Sequence, residues 1–301
     1  MKSIYKIDRR KFLRISTVFS TGLGLSAYSF KTKRNFRFGL VTDSHYADRE
    51  PANTRYYRQS LDKMEDFIDV MNREKVDFIV HLGDFKDQDP KKMERDTLKY
   101  LIKLESIFSK FQSHSYHCVG NHDVDSITKQ QFLENISNTG ISKSKSYYSF
   151  DNKGFHFVVL DANYHNTGKD HFYKEGADWQ DTNIPKLEID WLVNDLNKTK
   201  LPTVIFCHHP LYKYEDEYSK MYVNNYEEVQ NVLIDSEKVM VVFQGHVHDE
   251  RYKKVNGIHY VTQYGMVDYS GLENNSFSIV EIDKKSIKIN GYKRVSDMSF
   301  N

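Results

Sequence analysis

Two cysteines, five prolines and fourteen glycines are spread thinly over 301 residues, and each scarcity excludes a class of protein. Two thiols cannot build a disulfide framework. Cys118 and Cys207 each fall in an apolar run of strand character, where a thiol is ordinarily a small buried hydrophobe, so no bridge between them is expected. With no Pro- or Gly-rich stretch there is no visible linker, and no internal repeat or low-complexity tract either. One domain with a substantial core is therefore expected over residues 35–301.

Charge of one sign is also missing, since 43 Lys and Arg stand against 42 Asp and Glu. The balance hides an asymmetry. Residues 1–34 hold nine Lys/Arg and one Asp, which leaves 34 against 41 in the rest, a net of −7. An acidic body disfavours a long nucleic-acid backbone as partner, because phosphate contacts need a basic surface. Small phosphorylated compounds suit it better, with any polyanion received by metals and a few local cations.

The basic N-terminus is read as a targeting segment. Asp8-Arg9-Arg10-Lys11-Phe12-Leu13-Arg14 precedes a modest apolar run from Ile15 to Phe30, and Lys31-Thr32-Lys33-Arg34 follows. The pattern resembles a twin-arginine export signal. Ser, Thr and Gly interrupt the run, which falls short of the ~20 strongly apolar residues that span a bilayer. The expectation is export to the periplasm or the extracellular space by the twin-arginine machinery, with no stable membrane insertion after processing.

Apolar runs then alternate with amphipathic stretches. Strands are predicted over 36–42, 77–82 and 115–119, with helices over 57–72 and 90–110 between them. This order points to a partly parallel sheet with crossover helices. A hairpin is predicted from Tyr147 to Asp161 and a helix from Ile184 to Asn197. Buried strands follow over 203–207 and 239–244, and antiparallel strands from Arg251 to Gly291, with a turn at Asn256-Gly257. Two polar, aromatic loops, Asn163 to Asp181 and Tyr212 to Tyr226, are expected to flank a site.

Five polar blocks follow five of the strand-like runs: Asp43-Ser44-His45, Gly83-Asp84, Gly120-Asn121-His122-Asp123, His208-His209 and Gly245-His246-Val247-His248. One Asp-x-His alone would only place two side chains on the same side of an extended segment. Five blocks offer oxygen and imidazole donors for two cations and a carboxylate to bridge them. Ligands of open α/β sheets bind at the carboxyl ends of the strands, where these blocks lie.

In content and order the blocks resemble the signature of the calcineurin-like metallophosphoesterases, D-x-H, G-D-x-x-D, G-N-H-D/E, H and G-H-x-H, with Asp87 completing the second. The resemblance covers roughly residues 36 to 290. It implies an α/β fold of two mixed β-sheets in a sandwich flanked by helices. Within the superfamily, Arg55-Tyr56-Tyr57-Arg58-Gln59-Ser60-Leu61 and Val242-Phe243-Gln244-Gly245-His246-Val247-His248-Asp249 are most similar to the manganese-dependent ADP-ribose/CDP-alcohol diphosphatases. Those enzymes carry Gln where this chain has His45.

By motif position, the resemblance implies Asp43, His45, Asp84 and His248 around one metal and Asp84, Asn121, His208 and His246 around the other. Mn²⁺ is the expected metal, with Fe or Zn²⁺ as alternatives for such a thiolate-free set. Two cations sharing a water lower its pKa and stabilise charge at phosphorus. His122 is the expected general acid, with Asp123 fixing its tautomer. Asp87 and His209 are read as groups that orient the ligands from behind, and Arg55 as a contact for substrate phosphate. The other seven histidines are read as strand or loop residues.

The expected activity is hydrolysis of a phosphodiester or pyrophosphate bond in a small molecule, such as a nucleoside diphosphate-linked compound. A phosphomonoesterase releasing inorganic phosphate is the alternative. A non-catalytic binding protein on the same fold is the alternative of another class, but such a protein would have lost a ligand or the His of the Asn-His block, and none is lost here.

Overall fold

In a computed structural model the described residues are 36–301, apart from 173, 175, 177 and 214–220. The targeting segment expected over residues 1–34 lies outside them. Residues 35–301 form one unit.

Its first strand shows how the chain builds its layers. In β1 (Phe36–Val41), Phe36, Phe38 and Leu40 point into one apolar cluster while Val41 belongs to another, as period-two alternation requires. β2 (Phe78–His81) and β3 (His114–His117) lie parallel to β1. Strands buried on both faces read as unbroken apolar runs, as Phe78-Ile79-Val80 of β2 does, whereas β1 is broken by the partly exposed Arg37.

The first sheet runs β12-β11-β10-β1-β2-β3, where β10 (Ser276–Ile282), β11 (Ile287–Lys293) and β12 (Met298–Phe300) are antiparallel additions. The second runs β4-β5-β6-β7-β9-β8. It is made of β4 (Tyr148–Asn152), β5 (Phe155–Leu160), β6 (Thr203–Cys207), β7 (Val239–Gln244), β8 (Arg251–Val255) and β9 (Ile258–Thr262). β5, β6, β7 and β9 are mutually parallel, and β4 and β8 are antiparallel edges. This is the expected sandwich of two mixed sheets.

Between the sheets lies an aromatic core: Phe38 stacks on Phe78 with centroids 4.9 Å apart, and both meet the ring of Phe157 edge-on. Each such pair adds roughly 0.5–1.5 kcal/mol to the burial itself. Helices α1 (Ser60–Glu74), α2 (Glu94–Phe108) and α3 (Lys129–Asn135) cover the outer face of the first sheet. On α1, Met64, Phe67, Ile68 and Met71 recur at helical spacing and form the buried stripe. Helices α4 (Lys186–Lys198) and α5 (Tyr226–Asp235) cover the second sheet. Among the described residues no helix is long and apolar enough to cross a membrane.

One expectation is completed and another corrected. The tail strands do pair antiparallel with one another, β8 with β9 and β10 with β11, but what the expectation lacked is that they divide between the sheets: β8–β9 joins the second, with β9 parallel to β7, whereas β10–β12 return to the first. Alternation marks a strand but does not name its partner. The second helix begins at Glu94 rather than Pro90, because the Asp89 carboxylate accepts the N–H groups of Lys91 and Met93 and holds a turn with Lys92 at φ +55°.

Candidate active site

The five blocks leave the carboxyl ends of β1, β2, β3, β6 and β7, so both sheets deliver donors to one cleft. The chain turns sharply at that edge. Asp43, His45, Asp84, His246 and His248 all have positive φ, between +45° and +73°, although none is glycine. Such backbone costs on the order of 1–3 kcal/mol per residue and persists where surrounding structure enforces it, as at functional sites. Here it turns the donors inward.

Asp84 occupies the middle. Its Oδ2 is 3.4 Å from His45 Nε2 on one side and 3.2 Å from His208 Nε2 on the other. On the His45 side, His45 Nε2 and His248 Nε2 are 2.9 Å apart, and Asp43 Oδ1 lies 3.7 and 3.4 Å from them. Across Asp84, the Asn121 side-chain Oδ1 is 3.3 Å from His208 Nε2, and the His246 ring lies 5.1 Å from that of His208. Every residue expected to ligate a metal is thus in the cleft, in two sets that share Asp84.

The far sides of two of the rings are held by acceptors, and that of His45 faces a carboxylate. His208 Nδ1 donates to the Leu82 carbonyl at 2.9 Å, His248 Nδ1 to Asp268 Oδ2 at 2.7 Å, and His45 Nδ1 lies 3.3 Å from Asp87 Oδ2. A ring with Nδ1–H engaged presents a bare Nε2, the form that binds a cation. Several groups of these side chains place their donor atoms within 4.8 Å of one another. This chemistry, oxygen and imidazole without thiolate, fits divalent metal ions.

Burial alone would raise the Asp84 carboxyl, but the imidazoles of His208, His122 and His45 overcome it and hold it well below the usual range. Burial would lower the His208 imidazole, but the Asp84 carboxylate beside it outweighs burial and raises it to about 9, so a metal at its Nε2 would displace a proton. Burial, aided by His208, pushes His246 down to about 3, so its ring stays neutral.

His122 follows Asn121 on a short 3₁₀ turn, Asn121–Val124, and its backbone N–H donates to Asp84 Oδ1 at 2.7 Å. Its Nδ1 is buried 3.6 Å from both Asp87 Oδ2 and Asp125 Oδ2. The exposed part of the ring is therefore its other edge, and that edge lines a cavity of about 390 Å³. Arg55 lines it too, with Nη2 3.5 Å from His248 Nε2, so this arginine belongs to the cleft and not to a remote helix surface.

Two expected roles do not survive. Asp123 does not touch the His122 ring: its Oδ1 accepts the N–H groups of Phe85 and Lys86 at 2.9 and 3.2 Å, and its Oδ2 that of Gly120 at 2.8 Å. The carboxylates at His122 are Asp87 and Asp125. Nor does His209 orient a ligand from behind. Both its ring nitrogens lack a hydrogen-bond partner among the described residues, and it offers a donor alongside those of His208 and His246. Asp87 lies on the far side of the His45 ring, with Oδ2 3.3 Å from Nδ1.

Sequence reasoning missed Asp125, Asp268 and Lys86, none of which stands at an expected motif position. It also passed over His81 as a strand residue, yet its ring meets Ser44 Oγ at 2.7 Å and accepts the Gly83 N–H at 3.2 Å, joining two of the blocks from beneath. Both polar loops reach the cavity, the first through Lys174 and Trp179 and the second through Met221.

Donor sets from two sheets that share one carboxylate, with an imidazole poised beside them, define a metal-dependent phosphoester hydrolase. The calcineurin-like phosphoesterase profile matches residues 36–250, and the chain belongs to that family. Among similar proteins, the manganese-dependent ADP-ribose/CDP-alcohol diphosphatase of Bos taurus is 23% identical across 89% of this chain and 94% of its own length. The Danio rerio protein of the same name is 24% identical across 88% and 97%. In fold, the chain resembles the crystal structure of a dimetal phosphatase from Danio rerio, with a TM-score of 0.74, 22% identity and coverage of 88% of this chain and 98% of that one.

Proposed function

We propose that this chain hydrolyses the phosphodiester or pyrophosphate bond of a small molecule such as a nucleoside diphosphate-linked compound. The observation that carries the reading is Asp84, whose one oxygen faces both donor sets at 3.4 and 3.2 Å. Asp43, His45, Asp84 and His248 would hold one divalent ion, and Asp84, Asn121, His208 and His246 the other, with His209 a further donor at the second. Mn²⁺ is the favoured metal, in keeping with the names of relatives that match along nearly the whole chain.

Bound there, two such cations supply an activated water and neutralise charge at phosphorus. The chain's own residues do the rest. His122, with Nδ1 turned to Asp87 and Asp125, presents its other nitrogen to the cavity and protonates the leaving oxygen. Arg55 receives a phosphate oxygen at the rim. Lys92, Lys174, Trp179 and Met221 line the same cavity, which has room for a group beyond the scissile phosphate.

The test is product analysis on metal-stripped enzyme reconstituted with Mn²⁺, using ADP-ribose, CDP-alcohols, cyclic nucleotides and simple mono- and diesters. Two monophosphates from a pyrophosphate substrate support the reading. Phosphate from monoesters alone would replace it with a phosphomonoesterase.

We also infer export, from Arg9-Arg10 and the apolar run that follows. A protein that crosses folded could take up its metals beforehand. Retention of an Arg9→Lys/Arg10→Lys variant inside cells that export the parent would support this; equal export would refute it.

A further inference from the structure

Two carboxylates face His122 Nδ1, and the reaction as proposed above does not distinguish them; Asp125 is the one that stands at no expected motif position. It is 5% exposed, and the two oxygens have different surroundings. Oδ1 accepts from the Lys86 ammonium and from the Ser126 N–H. Oδ2 has no hydrogen-bond partner among the described residues and faces the buried Nδ1 of His122 at 3.6 Å.

Asp87 also faces that nitrogen at 3.6 Å, but its oxygens are shared. Oδ2 lies 3.3 Å from His45 Nδ1 and 3.9 Å from Arg55, while Oδ1 accepts the Gln88 N–H at 2.7 Å and meets Arg49 at 3.5 Å. Asp125 Oδ2 is the oxygen with nothing else to accept. The Lys86 side chain, fully buried, also donates to the backbone carbonyl of His122. One ammonium thus fixes both the backbone that carries the imidazole and the carboxylate that faces it. A cation bound between Asp87, His122 and Asp125 is disfavoured by that ammonium, already seated on the carboxylate.

We propose that Asp125, held by Lys86, is a positioning residue that orients the His122 ring through Nδ1 so that its opposite nitrogen meets the leaving oxygen. The inference rests on His122 being the general acid. A buried carboxylate behind an imidazole selects its tautomer and its angle, and losing such a partner costs about 10–100-fold. The cost falls where the proton is needed. An alkoxide departs only with a proton, whereas 4-nitrophenolate departs without one.

The experiment compares kcat and KM of the Mn²⁺-loaded full chain, its Asp125→Asn and Asp125→Glu variants, and His122→Ala, on 4-nitrophenyl and alkyl esters of one phosphate. Metal content and melting temperature are measured alongside. Asp125→Asn is expected to lose about 10–100-fold in kcat on the alkyl ester and far less on the nitrophenyl ester, whose leaving group needs no proton, with KM and metal content kept and partial recovery in Asp125→Glu. Equal losses on both esters, or none, overturn the proposal, since general damage does not distinguish leaving groups. If His122→Ala shows no leaving-group dependence, the acid assignment itself fails. If His122→Ala shows it and Asp125→Asn does not, only the role of Asp125 falls.

Discussion

Asp123 accepts the backbone N–H of Phe85 at 2.9 Å, and so joins the turn that presents Asp84 to the turn that presents Asn121 and His122. With Lys86 and Gly120 also bound, three buried N–H groups depend on one carboxylate. Asp123→Asn puts an NH₂ group against at least one of these donors. An unmet buried group costs about 1–3 kcal/mol. The variant is expected to melt lower by several degrees and to hold metal less tightly, as read by calorimetry and metal analysis. Unchanged stability with activity lost would return Asp123 to a direct role at His122.

The shared oxygen of Asp84 leads to a second expectation. Asp84→Asn keeps the size of the side chain and an acceptor for the His122 N–H, but removes the charge that two cations would share. Metal content after dialysis should fall from two ions per chain to one or fewer, and kcat by more than about 100-fold. Inductively coupled plasma measurement on both proteins checks it. Two tightly held ions in the variant would mean that Asp84 is not the bridge.

These two residues show which parts of the site were legible in sequence. Asp84 was, because a donor that must follow a buried strand leaves an apolar run with a polar stop. The role of Asp123 was not, since adjacency to His122 along the chain suggested contact, whereas the 3₁₀ turn sends its side chain back to the Phe85 and Lys86 backbone. Asp268 could not have been found: it reaches His248 from twenty residues away, through a loop held by the Lys63 ammonium on the carbonyls of Met266, Asp268 and Tyr269. In the fold, β-strands buried on both faces announced themselves, but α3, at seven residues, was too short to display a helical period.

Gly120 is constrained by space and not by backbone angle, since its φ is −97°. A Cβ there would lie 2.1 Å from the Asp84 backbone nitrogen and 2.3 Å from Asp84 Oδ1, so Gly120→Ala must displace the shared carboxylate. A shift of about 1 Å at a reacting centre costs on the order of 100-fold in rate. Loss of about that size, with overpacking costing roughly 1–3 kcal/mol of stability, is expected in assays and melting curves of this variant. Activity within a few-fold of the parent would show that the two turns can part without harm.

His156 offers a test of electrostatics far from the metals. On β5, its Nδ1 is 2.6 Å from Asp151 Oδ1 and its Nε2 2.8 Å from Asp195 Oδ2, an arrangement in which both ring nitrogens carry protons. Burial alone would lower its pKa; the bonds to Asp195 and Asp151 outweigh that and raise it above the ordinary value of 6.5. A raised pKa in the folded state means that folding takes up a proton, so the stabilisation is complete below about pH 6.5 and fades as pH rises through the folded-state value. His156→Gln should therefore destabilise the protein more at about pH 5.5 than at about pH 9, by on the order of 1 kcal/mol given that Asp151 is largely exposed. Denaturant titrations of parent and variant at both pH values measure the difference, and comparing the two proteins at each pH cancels any change in metal binding that they share. A gap that is equal at the two pH values, or larger at the higher one, would mean that the imidazole sits between the two carboxylates uncharged.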